Sequence, residues 1–128
     1  MDLATFISAL LSQRNVGDTQ ENAGQCVGLV ERWLDANKKP HIWGDAKDLM
    51  TNAPPSVFKV TANLPLNAPQ PGNIVCWDSS WGLGHGHTAI VIAANIRSLA
   101  VFEQNNPIGS APIVWTHGYT GVAGWISW

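Results

Sequence analysis

One cysteine, one histidine and a carboxylate–amide pair have the types and settings that thiol-based hydrolysis requires. Cys26 opens a segment with helical spacing of apolar residues, and His87 begins a β-branched run. Glu103 and Asn105 lie two residues apart in a later apolar run. A thiol at a helix start supplies a nucleophile, an imidazole supplies the base, and a carboxylate or amide orients the imidazole. The sequence therefore contains every part of a cysteine hydrolase, provided that the fold brings these segments together.

The runs that carry His87 and Glu103 are predicted to pair as a β-hairpin, because residues 94–98 have the composition of a turn. Depending on the centre of that turn, His87 lies opposite Glu103 or opposite Asn105. Side chains alternate along a strand, so Glu103 and Asn105 share a face, and His87 joins that face in both registers. Directly opposite Cβ atoms are about 5 Å apart, which places an acceptor beside the imidazole in either case.

The face that carries His87 continues with Ala89, Val91 and Ala93, which are small to medium residues. We expect the helix that begins at Cys26 to pack closely on this small face, with its N-terminus pointing the thiol toward His87. A helix N-terminus and an adjacent imidazolium both stabilise a thiolate, which is the reactive form of a cysteine.

Each of these residues also has a purely structural interpretation when it is taken alone. Cys26 would then be a core cysteine on an amphipathic helix, His87 a hydrogen-bonded residue at a strand end, and Glu103 a solvated residue on an open edge. The joint pattern favours catalysis over these separate readings. Cys76 follows a strand-like pattern without such partners, and we predict that it is a small buried hydrophobe.

Helical patterns precede strand-like patterns along the chain, which predicts an α+β fold with N-terminal helices on a largely antiparallel sheet of five to six strands. With 128 residues and no repeat or linker, a single domain is expected. Helices are predicted at 2–13, 25–36 and 44–50, the last with Asp45 as N-cap. Strands are predicted at 57–61, 74–78, 87–94, 99–105, 111–115 and 122–128.

The composition argues against several classes of partner. Charged residues make up 12% of the chain, the formal net charge is −2, and the basic residues form no patch in the sequence. Nucleic-acid binding and capture by an anionic membrane are therefore disfavoured. No stretch is suited to membrane insertion, and the N-terminus lacks the pattern of a secretory signal peptide. We expect a monomer that reaches its target by release from a cell or by injection.

Several segments together resemble the CHAP domain family, the cysteine- and histidine-dependent amidohydrolases/peptidases of bacteriophage endolysins and virion-associated enzymes. The resemblance rests on the order and spacing of the motifs rather than on any one of them. The matching segments are Gln25-Cys26-Val27, Gln70 to Val75, Gly86 to Val91, Glu103-Gln104-Asn105 and Gly121 to Ile126.

The resemblance implies a papain-like fold and hydrolysis of an amide bond in bacterial peptidoglycan. That bond is either the N-acetylmuramoyl–L-alanine bond or a bond of the peptide cross-link. By motif position Cys26 is the nucleophile and His87 the base, while Glu103 and Asn105 complete the catalytic site.

Three further residues are predicted to bind substrate. Gln25 precedes the nucleophile in the motif. Trp81 and His85 lie in a glycine-containing loop just before His87, where we expect them to border the site.

No cofactor and no metal are expected. Some members of the family bind calcium through acidic residues before the nucleophile and an aspartate just after it. Here the first region offers only Asp18 and Glu21, and Gly28 stands two residues after Cys26. Calcium needs six to eight oxygen ligands, so this set is too small. A zinc site that pairs His85 with His87 and Cys26 is also disfavoured, because no compact set of four Cys or His ligands is present.

Two other functions remain open at this stage. A thiol amidase of the same chemistry, acting on a small glutathione-like amide, would turn over soluble peptides without clearing cell walls. A non-catalytic wall-binding or virion structural module would use its tryptophans as stacking platforms and would retain its function in Cys26→Ser.

Overall fold

The computed structural model describes all residues from Met1 to Trp128. Three helices are followed by six strands, which form one antiparallel sheet in the order β1-β6-β2-β3-β4-β5. The predicted α+β architecture is confirmed. The helices are α1 (Leu3–Leu10), α2 (Cys26–Ala36) and α3 (Leu49–Asn52), and the strands are β1 (Lys59–Ala62), β2 (Ile74–Trp77), β3 (His87–Ala94), β4 (Leu99–Glu103), β5 (Ile113–His117) and β6 (Val122–Ser127).

The predicted helices are found, with shorter bounds. α1 is capped by the carboxylate of Asp2, which accepts from the backbone N–H of Thr5 at 2.8 Å. The third segment is a 3-10 turn at Ala46–Asp48 that leads into α3. Asp45 precedes this turn as predicted, but its side chain makes no capping hydrogen bond and instead contacts His85. None of the three helices is long and apolar enough to cross a bilayer.

β1, β2 and β6 differ from the predicted strands by one or two residues, and two larger differences concern β4 and β5. β4 ends at Glu103 because Asn105 adopts a left-handed conformation with φ of 65°, which leaves the extended region. β5 lies two residues later than predicted and ends at His117, a position that the predicted strand did not reach. His117 pairs with Leu99 in the sheet, and its side chain reaches Glu103.

The helix that begins at Cys26 packs on the face opposite to the one expected. Leu29, Val30 and Trp33 of α2 share a core with Ile90 and Phe102. The small face is covered differently, by a second core that includes Trp77 and Trp125 together with Ala89, Val91 and Val101. The expectation that small residues attract the helix was wrong. The larger side chains of the other face bury more apolar area against α2, and that area stabilises the packing.

Candidate active site

The β3–β4 hairpin sets the position of His87. Ile90 pairs with Phe102 and Val91 with Val101, and a shift in register follows between Val91 and Ala93. Extended toward the start of β3, this register sets His87 opposite Asn105, the second of the two predicted alternatives. The His87 ring nonetheless bonds to Glu103, with 2.8 Å between Nε2 and Oε1. The predicted shared face of His87 and Glu103 therefore brings the two side chains into contact.

Cys26 is the first residue of α2, and its thiol is close enough to the His87 imidazole to raise the pKa of that ring. Because Nε2 of His87 is occupied by Glu103, Nδ1 is the ring nitrogen left for the sulfur. Both side chains line a cavity of about 450 Å³. Since α2 covers the opposite face of the sheet, the thiol meets the imidazole at the end of β3 and not across the small face.

Gln104 connects α2 with the end of β4, a role that the sequence did not predict. Its fully buried amide donates to the backbone oxygens of Val16 at 2.9 Å and Gln25 at 2.7 Å, and accepts from Val16 N–H at 3.1 Å. Gln25 is the N-cap residue of α2, so this side chain attaches the nucleophile helix to the end of β4. Side-chain alternation along β4 could have indicated this role, because it places Gln104 on the same face as Phe102, the face on which α2 packs.

Glu103 is fully buried and holds three side chains. Besides His87, its carboxylate accepts from His117 Nε2 at 2.8 Å and from Asn106 Nδ2 at 3.1 Å. Burial raises the pKa of a carboxyl group, but the hydrogen bonds from His117, His87 and Asn106 outweigh it and lower the pKa of Glu103 to about 2. His117 was also missed, because the predicted strand stopped at Trp115.

The imidazole of His87 is held in its charged form. Burial alone would lower its pKa, but hydrogen bonds and charge interactions with Cys26 and Glu103 raise the pKa of His87 to about 9. At neutral pH the arrangement is therefore an imidazolium between a carboxylate and a thiol. This is the charge state that favours a thiolate nucleophile.

Aromatic rings enclose the His87 imidazole. The Trp81 ring stacks on it at 6.1 Å between centroids and an interplanar angle of 16°, and the Trp77 ring lies at 5.0 Å. Trp81 does not line the cavity that Cys26 and His87 share. It packs against the His87 ring, and together with Trp77 it fixes the plane of the imidazole. Its predicted contact with substrate stays a prediction.

Gln25, His85 and Asn105, the other residues assigned to the site, all line the cavity. His85 is exposed and its Nδ1 lies 3.1 Å from Asp45 Oδ2. The Asn105 side chain accepts from Gly109 N–H at 2.7 Å, and the bond to His87 Nε2 comes from Glu103. Contacts of these three residues with a substrate, and the catalytic roles of Cys26, His87 and Glu103, stay predictions at this point.

The calcium arrangement known from some relatives does not fit this chain. Gly28 occupies the position of the expected aspartate, and a Cβ there would overlap the backbone oxygens of Asn22 and Val16. The loop before Cys26 thus lies directly on α2. Its turn is fixed by the Asn22 side chain, whose Oδ1 accepts from the N–H groups of Asp18 and Thr19, both at 3.1 Å.

The two cysteines are unpaired and lie in different environments. Cys26 is partly accessible, whereas Cys76 in β2 is 1% exposed. Burial raises the pKa of the Cys76 thiol to about 12, and its nearest polar neighbour is Thr88 Oγ1 at 3.8 Å. Cys76 is a buried hydrophobe, as predicted, and is unsuited to nucleophilic attack.

Helices packed on a six-stranded antiparallel sheet define a papain-like α+β fold. Within that fold class the sequence is specific: residues 16–105 match the CHAP domain family, and the chain belongs to it. Over 113 residues the sequence is 30% identical to endolysin PlyTW of Staphylococcus phage Twort. The matched region covers 80% of this chain and 24% of PlyTW. The chain therefore spans about a quarter of that curated relative.

Solved structures share the fold. The crystal structure of the wild-type endolysin LysIME-EF1 superposes with a TM-score of 0.77 and 21% identity, over 96% of this chain and 61% of that one. An N-acetylmuramoyl-L-alanine amidase from Staphylococcus aureus gives a TM-score of 0.65 and 19% identity, over 99% of this chain and 37% of the amidase. At these identities the likeness establishes the shared fold.

Proposed function

We propose that the chain is the catalytic part of a peptidoglycan hydrolase that cuts an amide bond with Cys26 as nucleophile. The observation that carries the proposal is the placement of Cys26 and His87 in the wall of one cavity, with His87 bonded to the buried Glu103 at 2.8 Å. The effect of Cys26 on the pKa of His87 supports it. Membership of the CHAP family and the endolysin and amidase names of its relatives supply the substrate class.

The first half of the reaction forms a thioester. The Cys26 thiolate attacks the carbonyl carbon of the amide, and the N–H groups of Cys26 and Val27, at the start of α2, stabilise the oxyanion. The next N–H group, that of Gly28, already donates to the Gln25 carbonyl at 3.0 Å. The C–N bond then breaks, and the His87 imidazolium gives its proton to the departing amine. Glu103 keeps the ring oriented and balances its charge during this step.

The second half restores the enzyme. A water molecule gives a proton to the now neutral His87 and attacks the thioester carbonyl. The C–S bond breaks, the carboxylic acid leaves, and the proton on His87 again balances the Cys26 thiolate. Each turnover consumes one water and yields one carboxylate and one amine, with no cofactor.

The test uses purified cell walls from several bacteria and the full chain. We expect the unmodified chain to reduce wall turbidity and Cys26→Ala to lose this activity while keeping its circular dichroism spectrum. Cys76→Ala is the matched control, because it removes the other thiol from a site with no base nearby. Turnover per folded molecule should persist in that variant.

Mass spectrometry of the released muropeptides identifies the bond. A new amine on L-alanine indicates cleavage of the N-acetylmuramoyl–L-alanine bond, and a new amine within the cross-link indicates an endopeptidase. Wall clearing by Cys26→Ala at the native rate would remove the nucleophile assignment. Turnover of soluble glutathione-like amides without any wall product would move the substrate to a small molecule.

A further inference from the structure

A second cluster of ionisable side chains lies beyond the catalytic site, farther along α2. Asp18, Glu31 and His41 each offer one ligand atom, and these atoms lie within 4.8 Å of one another. His41 Nε2 is 2.6 Å from Asp18 Oδ2, and His41 Nδ1 is 3.7 Å from Glu31 Oε2. Asp35, which is more exposed, adds an oxygen 3.2 Å from His41 Nε2. Three acidic side chains thus converge on one imidazole.

One oxygen of the cluster is buried without a partner. Glu31 is 5% exposed, and its Oε2 accepts no hydrogen bond. A buried carboxylate oxygen in this state is costly, since it has lost its water and gained no donor. The same side chain and His41 line a cavity of about 230 Å³. A carboxyl oxygen without a hydrogen-bond donor, facing such a space, is a position where a cation is stabilised.

The two buried carboxylates are also oriented as metal ligands are. Glu31 accepts from the backbone N–H of Ile42 through Oε1, which leaves Oε2 for the cluster. Asp18 bonds to the Asn22 amide through Oδ1, which leaves Oδ2 for the cluster. In protein metal sites the ligating carboxylates are held in this way by groups that do not touch the metal.

We propose that Asp18, Glu31 and His41 form a binding site for a divalent transition metal, with Zn²⁺ as the ion that fits best. An imidazole nitrogen with carboxylate oxygens is a ligand set for zinc, and bonds of about 2.0–2.2 Å place tetrahedral ligand atoms roughly 3.4 Å apart. A small contraction of the cluster reaches that spacing. Asp35 or a water molecule completes the fourth position.

This site differs from the calcium arrangement of relatives in residues and in chemistry. Calcium takes six to eight oxygen ligands, whereas this cluster is built around a nitrogen. Its ligands come from the loop before α2, the middle of α2 and the segment after it. The calcium aspartate is replaced by Gly28, against which the preceding loop is packed.

The site would fix the position of the nucleophile helix. Cys26 and Glu31 belong to the same helix, and His41 begins the segment that continues to Asp45 and the lining of the catalytic cavity. A metal ion at the cluster therefore ties α2 to the loop before it and to the segment after it that lines the cavity at residues 44–46. The proposal does not depend on the hydrolase assignment, because metal binding is measured without substrate.

The experiment titrates ZnCl₂ into the EDTA-treated, dialysed full chain by calorimetry, in the unmodified chain and in Cys26→Ala. We expect one ion per chain in both, and Co²⁺ in place of zinc should give the visible absorption of a tetrahedral site. Saturating zinc should raise the melting temperature by roughly 4 °C or more. Glu31→Gln and His41→Asn should each weaken zinc binding by about tenfold or more.

Glu21→Gln is the matched control, because Glu21 is an exposed carboxylate at the edge of the same cavity and outside the cluster. Its zinc affinity should equal that of the unmodified chain. The proposal is overturned by the absence of saturable zinc binding, by equal affinity in Glu31→Gln and the unmodified chain, or by loss of binding in Cys26→Ala. Preferential binding of Ca²⁺ over Zn²⁺ would overturn the assignment of the metal class.

Discussion

Glu103 and Glu31 are both buried beside histidines, yet their environments have opposite effects on charge. Glu103 receives hydrogen bonds from His87, His117 and Asn106, which lower its pKa to about 2. Glu31 receives one bond, from the Ile42 N–H, and burial raises the pKa of Glu31 to about 7. The comparison shows that burial alone does not set the charge of a carboxylate. The number of donors aimed at it decides whether the charged form is kept.

This difference corresponds to two kinds of site. The Glu103 cluster is complete, with both carboxylate oxygens bonded, so it holds the His87 ring in place without a further ligand. The Glu31 cluster has a free oxygen and is completed by a cation. The predictions below test the two clusters against each other, beginning with the largest effect.

Glu103→Gln should reduce wall hydrolysis by roughly 10²-fold, because an amide holds the His87 ring without balancing its charge. It should also lower the free energy of unfolding by about 1–3 kcal/mol, since buried donors lose a charged acceptor. Turbidity assays and urea unfolding measure the two effects. Full activity in this variant would show that the carboxylate is not needed to orient His87.

The pH dependence of hydrolysis should show a fall in kcat/KM above about pH 9, where the His87 imidazolium loses the proton that the leaving amine requires. Because its pKa is raised above 6.5 on folding, the stabilising contribution of His87 is full below that value and is lost as pH rises through about 9. For Glu103, whose pKa is lowered from 4.5, the contribution is lost as pH falls toward 2.

Measurements of circular dichroism over the same range separate catalysis from unfolding. A fall centred near the ordinary imidazole value of 6.5 would mean that Cys26 and Glu103 do not hold the charge on His87.

His117→Gln should slow hydrolysis by less than about tenfold, which is below ~1.4 kcal/mol in activation free energy. Glu103 keeps its bonds to His87 and Asn106 in this variant, so the base stays oriented. Initial rates on wall suspensions provide the test. A loss as large as that of Glu103→Gln would make His117 an equal partner in the cluster.

Glu31→Gln should have the smallest effect, a change in the free energy of unfolding within about 0.5 kcal/mol or a gain, when measured in EDTA. The substitution removes a buried charge that has one donor, while the new carbonyl can still accept from Ile42 N–H. Denaturant unfolding in parallel with Glu21→Gln measures this. A loss beyond about 1 kcal/mol would show that Glu31 is already paired as firmly as Glu103.

The sequence predicted the residues of the catalytic path better than the contacts that hold them. Alternation along β3 and β4 was enough to place His87 with Glu103, and the helical stripe was enough to start α2 at Cys26. The face on which α2 packs was predicted wrongly, because the choice depends on the relative apolar area of two faces and not on side-chain size alone.

Gln104, His117 and the Glu31 cluster depend on contacts between segments far apart in the sequence. Gln104 bonds to Val16 and Gln25, and His117 bonds to Glu103. Asp18, Glu31 and His41 have no periodic spacing that would join them. Such contacts are set by the packing of the loop before α2 and by the end of β5. Neither segment has a helical or strand periodicity in the sequence from which its position could be predicted.

The position of the Gln104 amide predicts how the protein loses activity when it is heated or denatured. The proposed nucleophile comes from the helical layer and the proposed base from the sheet, so the proposed reaction needs both layers in register. Apolar packing holds the layers together, and the neutral Gln104 side chain adds three hydrogen bonds at the end where Cys26 lies. Loss of these bonds should displace Cys26 from His87 while each layer keeps its own secondary structure. Heat or denaturant should therefore abolish turnover at a lower dose than it abolishes far-ultraviolet dichroism.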